Sequence, residues 1–210
     1  MESLPISAVV VSHNEGDLLS RCLPSVLFCR EIIVVDLNST DNTEAMARAH
    51  GAIYMKHQRV PVVEIIHTWI QDRTAYDWIL KIGPDEVVSD DLQQEIRDIF
   101  PDISEITGSI TVPWIFYYKL KPLAGTIWGG VNEKVLLVNR QRFRFTPHVH
   151  RGGQLQAGYH NQKIEYTGEN CLHHYWMNTF SQLLQKHWRY LKAEGASRIA
   201  NQSKPWSLKT

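Results

Sequence analysis

The sequence is poor in cysteine, and its three cysteines, Cys22, Cys29 and Cys171, share no metal-binding spacing. That pattern excludes a small zinc domain and a disulfide scaffold, and a reduced, cytoplasmic setting is the expectation. No apolar run approaches the length of a membrane span. The opening Met1-Glu2-Ser3-Leu4-Pro5 puts an acid where a secretory leader carries positive charge. An excess of either charge is missing too, since Lys and Arg total 22 and Asp and Glu total 22. A footprint for nucleic acid is therefore not expected. An anionic ligand must instead be met by local charge, helix ends or a metal. The glycine signatures of Rossmann and P-loop enzymes are absent, as is the Gly-x-Ser-x-Gly elbow of many hydrolases. There are no repeats and no low-complexity tracts.

What is present suits one α/β domain with a helical tail: 210 residues, 43% of them hydrophobic. Ile6 to Val11 and Ile32 to Val35 are short apolar runs rich in β-branched residues. They read as strands buried on both faces, as in a parallel sheet. Between them Leu18, Leu19, Cys22, Leu23, Val26 and Leu27 recur with helical period, interrupted by Pro24. Asp41 with Glu44 reads as a capping box for a helix that stops at Gly51, and Ala52 to Met55 as a third strand. This alternation is that of βαβ units. Farther on, the pattern predicts a strand over Val62 to Ile66, a helix over Thr68 to Tyr76 and a strand over Trp78 to Ile82. Asp90 with Gln93 caps a helix carrying Leu92, Ile96 and Ile99. Strands follow at Ile110 to Trp114 and Val135 to Val138, with the aromatic segment Trp114 to Tyr118 between them. An amphipathic helix runs from about Asn178 to Glu194. Trp176, Trp188 and Trp206 near that helix leave peripheral membrane contact open.

Ligands of open parallel sheets bind beyond the carboxyl ends of the strands. Three polar clusters fall there: Ser12-His13-Asn14-Glu15, Asp36 with Ser39 in the following loop, and Asp85-Glu86. Carboxylates from separate loops make chemical sense if one meets a ribose or base and another holds a metal that grips phosphates. Plainer readings stand beside these. Asp36 can form a turn, Glu15 can decorate a helix start, and Asp85-Glu86 can open a turn stiffened by Pro84. His148 and His150 alternate and share a strand face. His148 is read as structural, and His150 as a candidate metal or substrate contact. Lys186, Tyr190 and Glu194 line one helical face, either as a solvated stripe or as an acceptor or diphosphate contact.

Val9-Val10-Val11-Ser12-His13-Asn14-Glu15 and Cys22-Leu23-Pro24-Ser25-Val26 resemble the opening of family-2 glycosyltransferases. Glu31 to Thr43, with Val34-Val35-Asp36 at its centre, resembles the family's second block. Asp77 to Glu86 is similar to the block that carries its Asp-x-Asp metal motif. His174-Tyr175, Lys186 and Tyr190 match the subgroup of lipopolysaccharide core glucosyltransferases. The resemblance implies a GT-A nucleotide-sugar-binding fold, with a mostly parallel central sheet, flanking helices and a C-terminal amphipathic helix. The domain would span residues 1–170, with 171–210 as a helical extension packed on it. It further implies transfer of a hexose from a nucleotide-sugar donor, with Mg²⁺ or Mn²⁺, onto a glycan or lipid-linked glycan acceptor. Ser12, Asn14, Glu15, Asp36 and Ser39 would then serve the nucleotide, and Asp85 the nucleotide and the metal. Inversion, expected of the family, needs a base, for which Glu133 and His150 are candidates. Three positions depart from the pattern: Gly83 replaces the first Asp of the metal motif, Leu136 an Arg, and Arg151 a Glu. These departures keep a second reading open, a degenerate nucleotide- or glycan-binding module without transfer activity.

Overall fold

The computed structural model describes residues 2–125, 128–146 and 153–177, together with 179, 181, 184 and 188. The first half builds a wholly parallel layer. Strand β1 (Leu4–Ser12) leads into helix α1 (Gly16–Cys22), and β2 (Cys29–Asp36) into α2 (Thr43–Ala49). Strand β3 (Ile53–Lys56) follows, then α3 (Val63–Ile70) and β4 (Trp78–Ile82). The order is β3-β2-β1-β4, and Ser12 pairs in register with Asp36 at the common carboxyl end. β-Branched runs form these strands because both faces are covered: Ile6, Ala8 and Val10 look into one core, Val9 into the other. Each such valine or isoleucine, fully removed from water, contributes about 1.5–3 kcal/mol before the entropy of ordering is set against it.

The second half turns the sheet mixed. β5 (Glu86–Val88) and α4 (Asp90–Ile99) precede the long β6 (Thr107–Tyr118), which reverses through the two-residue β7 (Lys121–Pro122). β8 (Asn132–Asn139) lies antiparallel between β4 and β6. β9 (Phe143–Arg144) and β10 (Gln154–Leu155) form a separate ribbon. β11 (His160–Lys163) and β12 (Leu172–Met177) pair with β6, and β12 also with β5. No helix among the described residues is long and apolar enough to cross a membrane.

Several expectations are corrected. Residues 62–66 open helix α3 rather than a strand. Only Val62 keeps extended angles, and Ile66 and Ile70, one helical turn apart, bury together against the sheet. The predicted helix over Thr68 to Tyr76 therefore starts earlier and ends in a 3₁₀ turn at Gln71–Arg73. The aromatic segment Trp114 to Tyr118 is itself part of β6. Asp41 forms no capping box with Glu44. Its Oδ1 accepts from the Thr43 N–H at 3.0 Å and its Oδ2 from the Gly16 N–H at 2.9 Å. The cap of α4 is Ser89, whose Oγ accepts from the Leu92 N–H at 3.2 Å. Residues 172–177, assigned from sequence to a helical extension, are a strand inside the main sheet. The expected helix over 178–194 lies almost wholly outside the described residues.

Candidate active site

The loops after β1 and β2 are tied together. The Leu37 N–H donates to the Ser12 carbonyl at 2.9 Å, and His13 Nδ1 lies 3.0 Å from the Leu37 carbonyl. Asn14, at φ 54°, takes a left-handed turn that asparagine tolerates better than most side chains. Its N–H donates to Ser39 Oγ, and its Oδ1 accepts from the Thr40 N–H, each at 2.8 Å. Gly16 is required by this stitching, since a Cβ there would lie 2.1 Å from Asn42 Oδ1. Glu15 is half-buried at the start of α1. Asp36 is 1% exposed, and its carboxylate accepts from the Ser39 N–H at 3.0 Å and the Tyr54 hydroxyl at 2.6 Å. Burial first, and that hydrogen bond second, push the Tyr54 hydroxyl well above its ordinary range. Asp36 thus fixes the loop from beneath. Ser12 Oγ is buried there without a hydrogen-bond partner among the described residues.

The second half of the rim follows β4. Asp85 Oδ2 lies 3.2 Å from His174 Nε2, and both side chains are 12% exposed. β12 delivers this histidine, and its Tyr175 N–H donates to the Asp85 carbonyl at 2.8 Å. The imidazole lies flat on Trp114, with centroids 5.0 Å apart and planes 7° apart, and Phe116 packs against both rings. Next to it Glu86, 2% exposed, accepts from the Gly83 N–H at 2.6 Å, and Lys134 Nζ donates to its Oε1 at 2.6 Å. Lys134 also sits 5.3 Å from the Trp114 ring centroid. Gly83, the departure from the metal motif, is filled space. A Cβ there would meet Asp85 Oδ1 at 2.8 Å and Glu86 Oε2 at 3.3 Å. Behind it Cys22 Sγ donates to the Gly83 carbonyl at 3.4 Å. Burial, then the charges of Glu86 and Asp85, push that thiol up and keep it protonated.

The structure thus brings Ser12, Asn14, Glu15, Asp36, Ser39 and Asp85 to the carboxyl rim of β1, β2 and β4. It does not bring Glu133 there. Side chains alternate along β8, so Glu133 points away from the face on which Lys134 meets Glu86. Glu133 instead pairs with Lys163 at 3.0 Å, and Lys163 with Glu165, in an exposed ion cluster. His150, like His148, Arg151, Lys186, Tyr190 and Glu194, lies outside the described residues. The sequence reading gave no role to Lys134 and no specific one to His174. The match at His174-Tyr175 was the one available signal. Among the described residues no three His, Cys, Asp or Glu side chains cluster as metal ligands. Two donors, the Asp85 carboxylate and the His174 imidazole, do converge. That suits a hard divalent ion, which commonly takes one or two protein ligands and completes its shell with phosphate and water oxygens.

Comparison with known proteins finds similarity to glycosyltransferases. Residues 7–98 match the profile described as Glycosyl transferase family 2. The uncharacterized glycosyltransferase RP128 of Rickettsia prowazekii is 26% identical over 211 residues, covering 96% of this chain and 70% of that protein. An uncharacterized glycosyltransferase of Rickettsia felis is 38% identical over 96 residues, 45% of this chain and 34% of its own length. The lipopolysaccharide core biosynthesis glycosyltransferase LpsC of Rhizobium meliloti is 23% identical over 160 residues, 71% of this chain and 57% of its own. The chain therefore spans from about a third to 70% of these relatives' lengths.

Proposed function

Residues 7–98 match the family-2 glycosyltransferase profile, and from that premise we propose that the chain belongs to that family and moves a hexose from a nucleotide-sugar donor to a glycan hydroxyl. The acceptor we assign is a cell-surface polysaccharide or lipopolysaccharide precursor. The similarity to the core glycosyltransferase LpsC supports that class. The observation that carries the reading is the Asp85–His174 pair, set on Trp114 beside the stitched loops of β1 and β2. Asn14, Glu15 and Ser39 frame the nucleotide end, with Asp36 beneath them holding the loop in shape. Asp85 and His174 would hold Mg²⁺ or Mn²⁺ at the diphosphate end. When bound, the ion neutralises the charge that grows on the leaving diphosphate. Lys134 and the Gly83 N–H keep Glu86 occupied, and Asp85 with His174 is the pair assigned to the ligand side. Inversion places the attacking hydroxyl opposite the diphosphate, by the same in-line logic that governs inverting glycosidases.

Calorimetric titration with UDP and GDP, with and without Mn²⁺, tests the site. We expect at least roughly tenfold tighter binding with Mn²⁺, about 1.4 kcal/mol or more, and loss of that gain in Asp85→Ala. Equal affinity with and without the ion rejects the metal role. The closed space at Gly83 favours a second reading, a binding module without transfer activity. Hydrolysis of a nucleotide-sugar across a donor panel separates the two, because a binding module retains affinity and releases no sugar.

A further inference from the structure

On the other face of the same sheet lies a cation that the transfer chemistry above does not use. Lys81 pairs with Val9 across β1 and β4, so its side chain leaves the sheet on the side covered by α3. Its neighbours on β4, Ile79, Leu80 and Ile82, are buried, whereas Lys81 is half-buried. Among the described residues its ammonium makes no hydrogen bond and no ion pair. It lies 5.4 Å from the Phe143 ring centroid and 5.9 Å from that of Phe145, and these rings meet edge to face at 5.3 Å. His67 of α3 closes the aromatic wall, 6.3 Å from Phe145. Burial, then the field of Lys134, bring Lys81 down to about 8, against the opposing pull of Glu64 and Glu86. Burial, then Lys81 and Lys134, bring His67 down to about 3, so it is neutral.

A lysine left in such surroundings costs stability, because an ammonium taken from water without a carboxylate is poorly compensated. Ring faces return only about 1 kcal/mol or so of that cost. A charge held at a disadvantage beside a reaction rim is a mark of a binding role. Among the described residues no anion pairs with it, and the partner its charge calls for is an anion.

We propose that Lys81, walled by Phe143, Phe145 and His67, is a subsite for an anionic substituent, a carboxylate or a phosphate, on the acceptor sugar. This rests on the transferase reading given above. The donor diphosphate is not the anion in question. It belongs to Asp85 and His174, on the Trp114 side of the sheet, whereas Lys81 faces α3. Phe143 and Phe145 are themselves buried, so they hold the ammonium in place while it takes the charged group.

Nuclear magnetic resonance titration of the full chain, with Mg²⁺ and UDP saturating, reads this directly. The probes are glucuronate, glucose 6-phosphate and glucose. One or both anionic sugars are expected to bind at least tenfold more tightly than glucose and to move the Phe143 and Phe145 resonances. Whichever anion is preferred identifies the substituent. Lys81→Met is expected to bring all three to the weak affinity of glucose. Methionine matches the lysine stem in volume, and a melting temperature at or above the wild-type value excludes misfolding as the cause. The proposal is overturned by equal binding of the three sugars, by a preference that survives in Lys81→Met, or by UDP displacing the anionic sugars. A wild-type chain that ignores UDP but still prefers the anionic sugars upholds the pocket and rejects the transferase reading.

Discussion

Asp36 shows how one buried carboxylate can hold the loops of a candidate site in shape. It ends β2, the most family-like segment of the chain, and it is 1% exposed. A charge so deep is tolerable only with donors around it, and the Ser39 N–H and the Tyr54 hydroxyl supply them. Ser39 in turn accepts from the Asn14 N–H, so the link from Asp36 to the first loop is two hydrogen bonds long. Asp36→Ala removes both acceptances and strands the Tyr54 hydroxyl. Hydrogen bonds to charged groups are worth roughly 1.5–3 kcal/mol each and are not additive, so the expected loss is roughly 2–4 kcal/mol in urea melts. Asp36→Asn, which keeps an acceptor oxygen, is expected to recover about half. Full wild-type stability in Asp36→Ala would return the residue to a purely ligand-facing role.

At the scale of elements, β5, β8 and β12 are joined at the rim by two side-chain pairs, Glu86 with Lys134 and Asp85 with His174. Glu86 is the more deeply placed, so removing its partner leaves a buried charge alone. Lys134→Met is expected to cost roughly 3–5 kcal/mol, and Glu86→Gln combined with Lys134→Met to regain most of it. Thermal melts of the single and double variants check this, and additive losses would deny the coupling. These pairings also mark where sequence reasoning stops. β1, β2 and β4 were legible because short, largely apolar runs buried on both faces occur in little else than parallel strands. β12 was not, because Leu172-His173-His174-Tyr175 has no alternation. His174 meets Asp85 on one side and His173 meets Tyr117 on the other, so its histidines face protein rather than water. Helix α3 was misread because Val62 and Val63 follow Pro61 with strand-like character, and packing of Ile66 and Ile70 decides the matter instead. His174 meets Asp85 across 89 residues, a distance no local pattern spans. Lys134, by contrast, stood next to Glu133 in the sequence. The alternation that separates their faces became usable only once β8 was placed beside β4 and β6.

Across the molecule, the sheet carries charge on both faces near one rim, and among the described residues only one face satisfies it internally. On the Trp114 side Lys134 is neutralised by Glu86. On the α3 side Lys81 is left to burial and two rings, and the chain carries that cost in its folding free energy. Its pH dependence follows. The folded lysine titrates near about 8, and the unfolded one near its ordinary 10.5. Below about pH 8 both states hold the proton, so the full cost of the buried ammonium is present. Between about 8 and 10.5 the unfolded chain holds more protons at this position, so stability from this group rises with pH through that window. Lys81→Met removes the cost at its source. The variant is expected to exceed wild type by roughly 1–3 kcal/mol at pH 7, from a shift of this size discounted for partial exposure. The gap should then close as pH approaches 10.5. Urea denaturation of both proteins from pH 7 to 10.5 measures the difference directly, and the other titrating groups largely cancel in it. A constant gap would mean that Lys81 loses its proton at the same pH folded and unfolded. An inverted gap would mean that its ammonium is already paired, and the α3 face would then hold no charge awaiting a ligand.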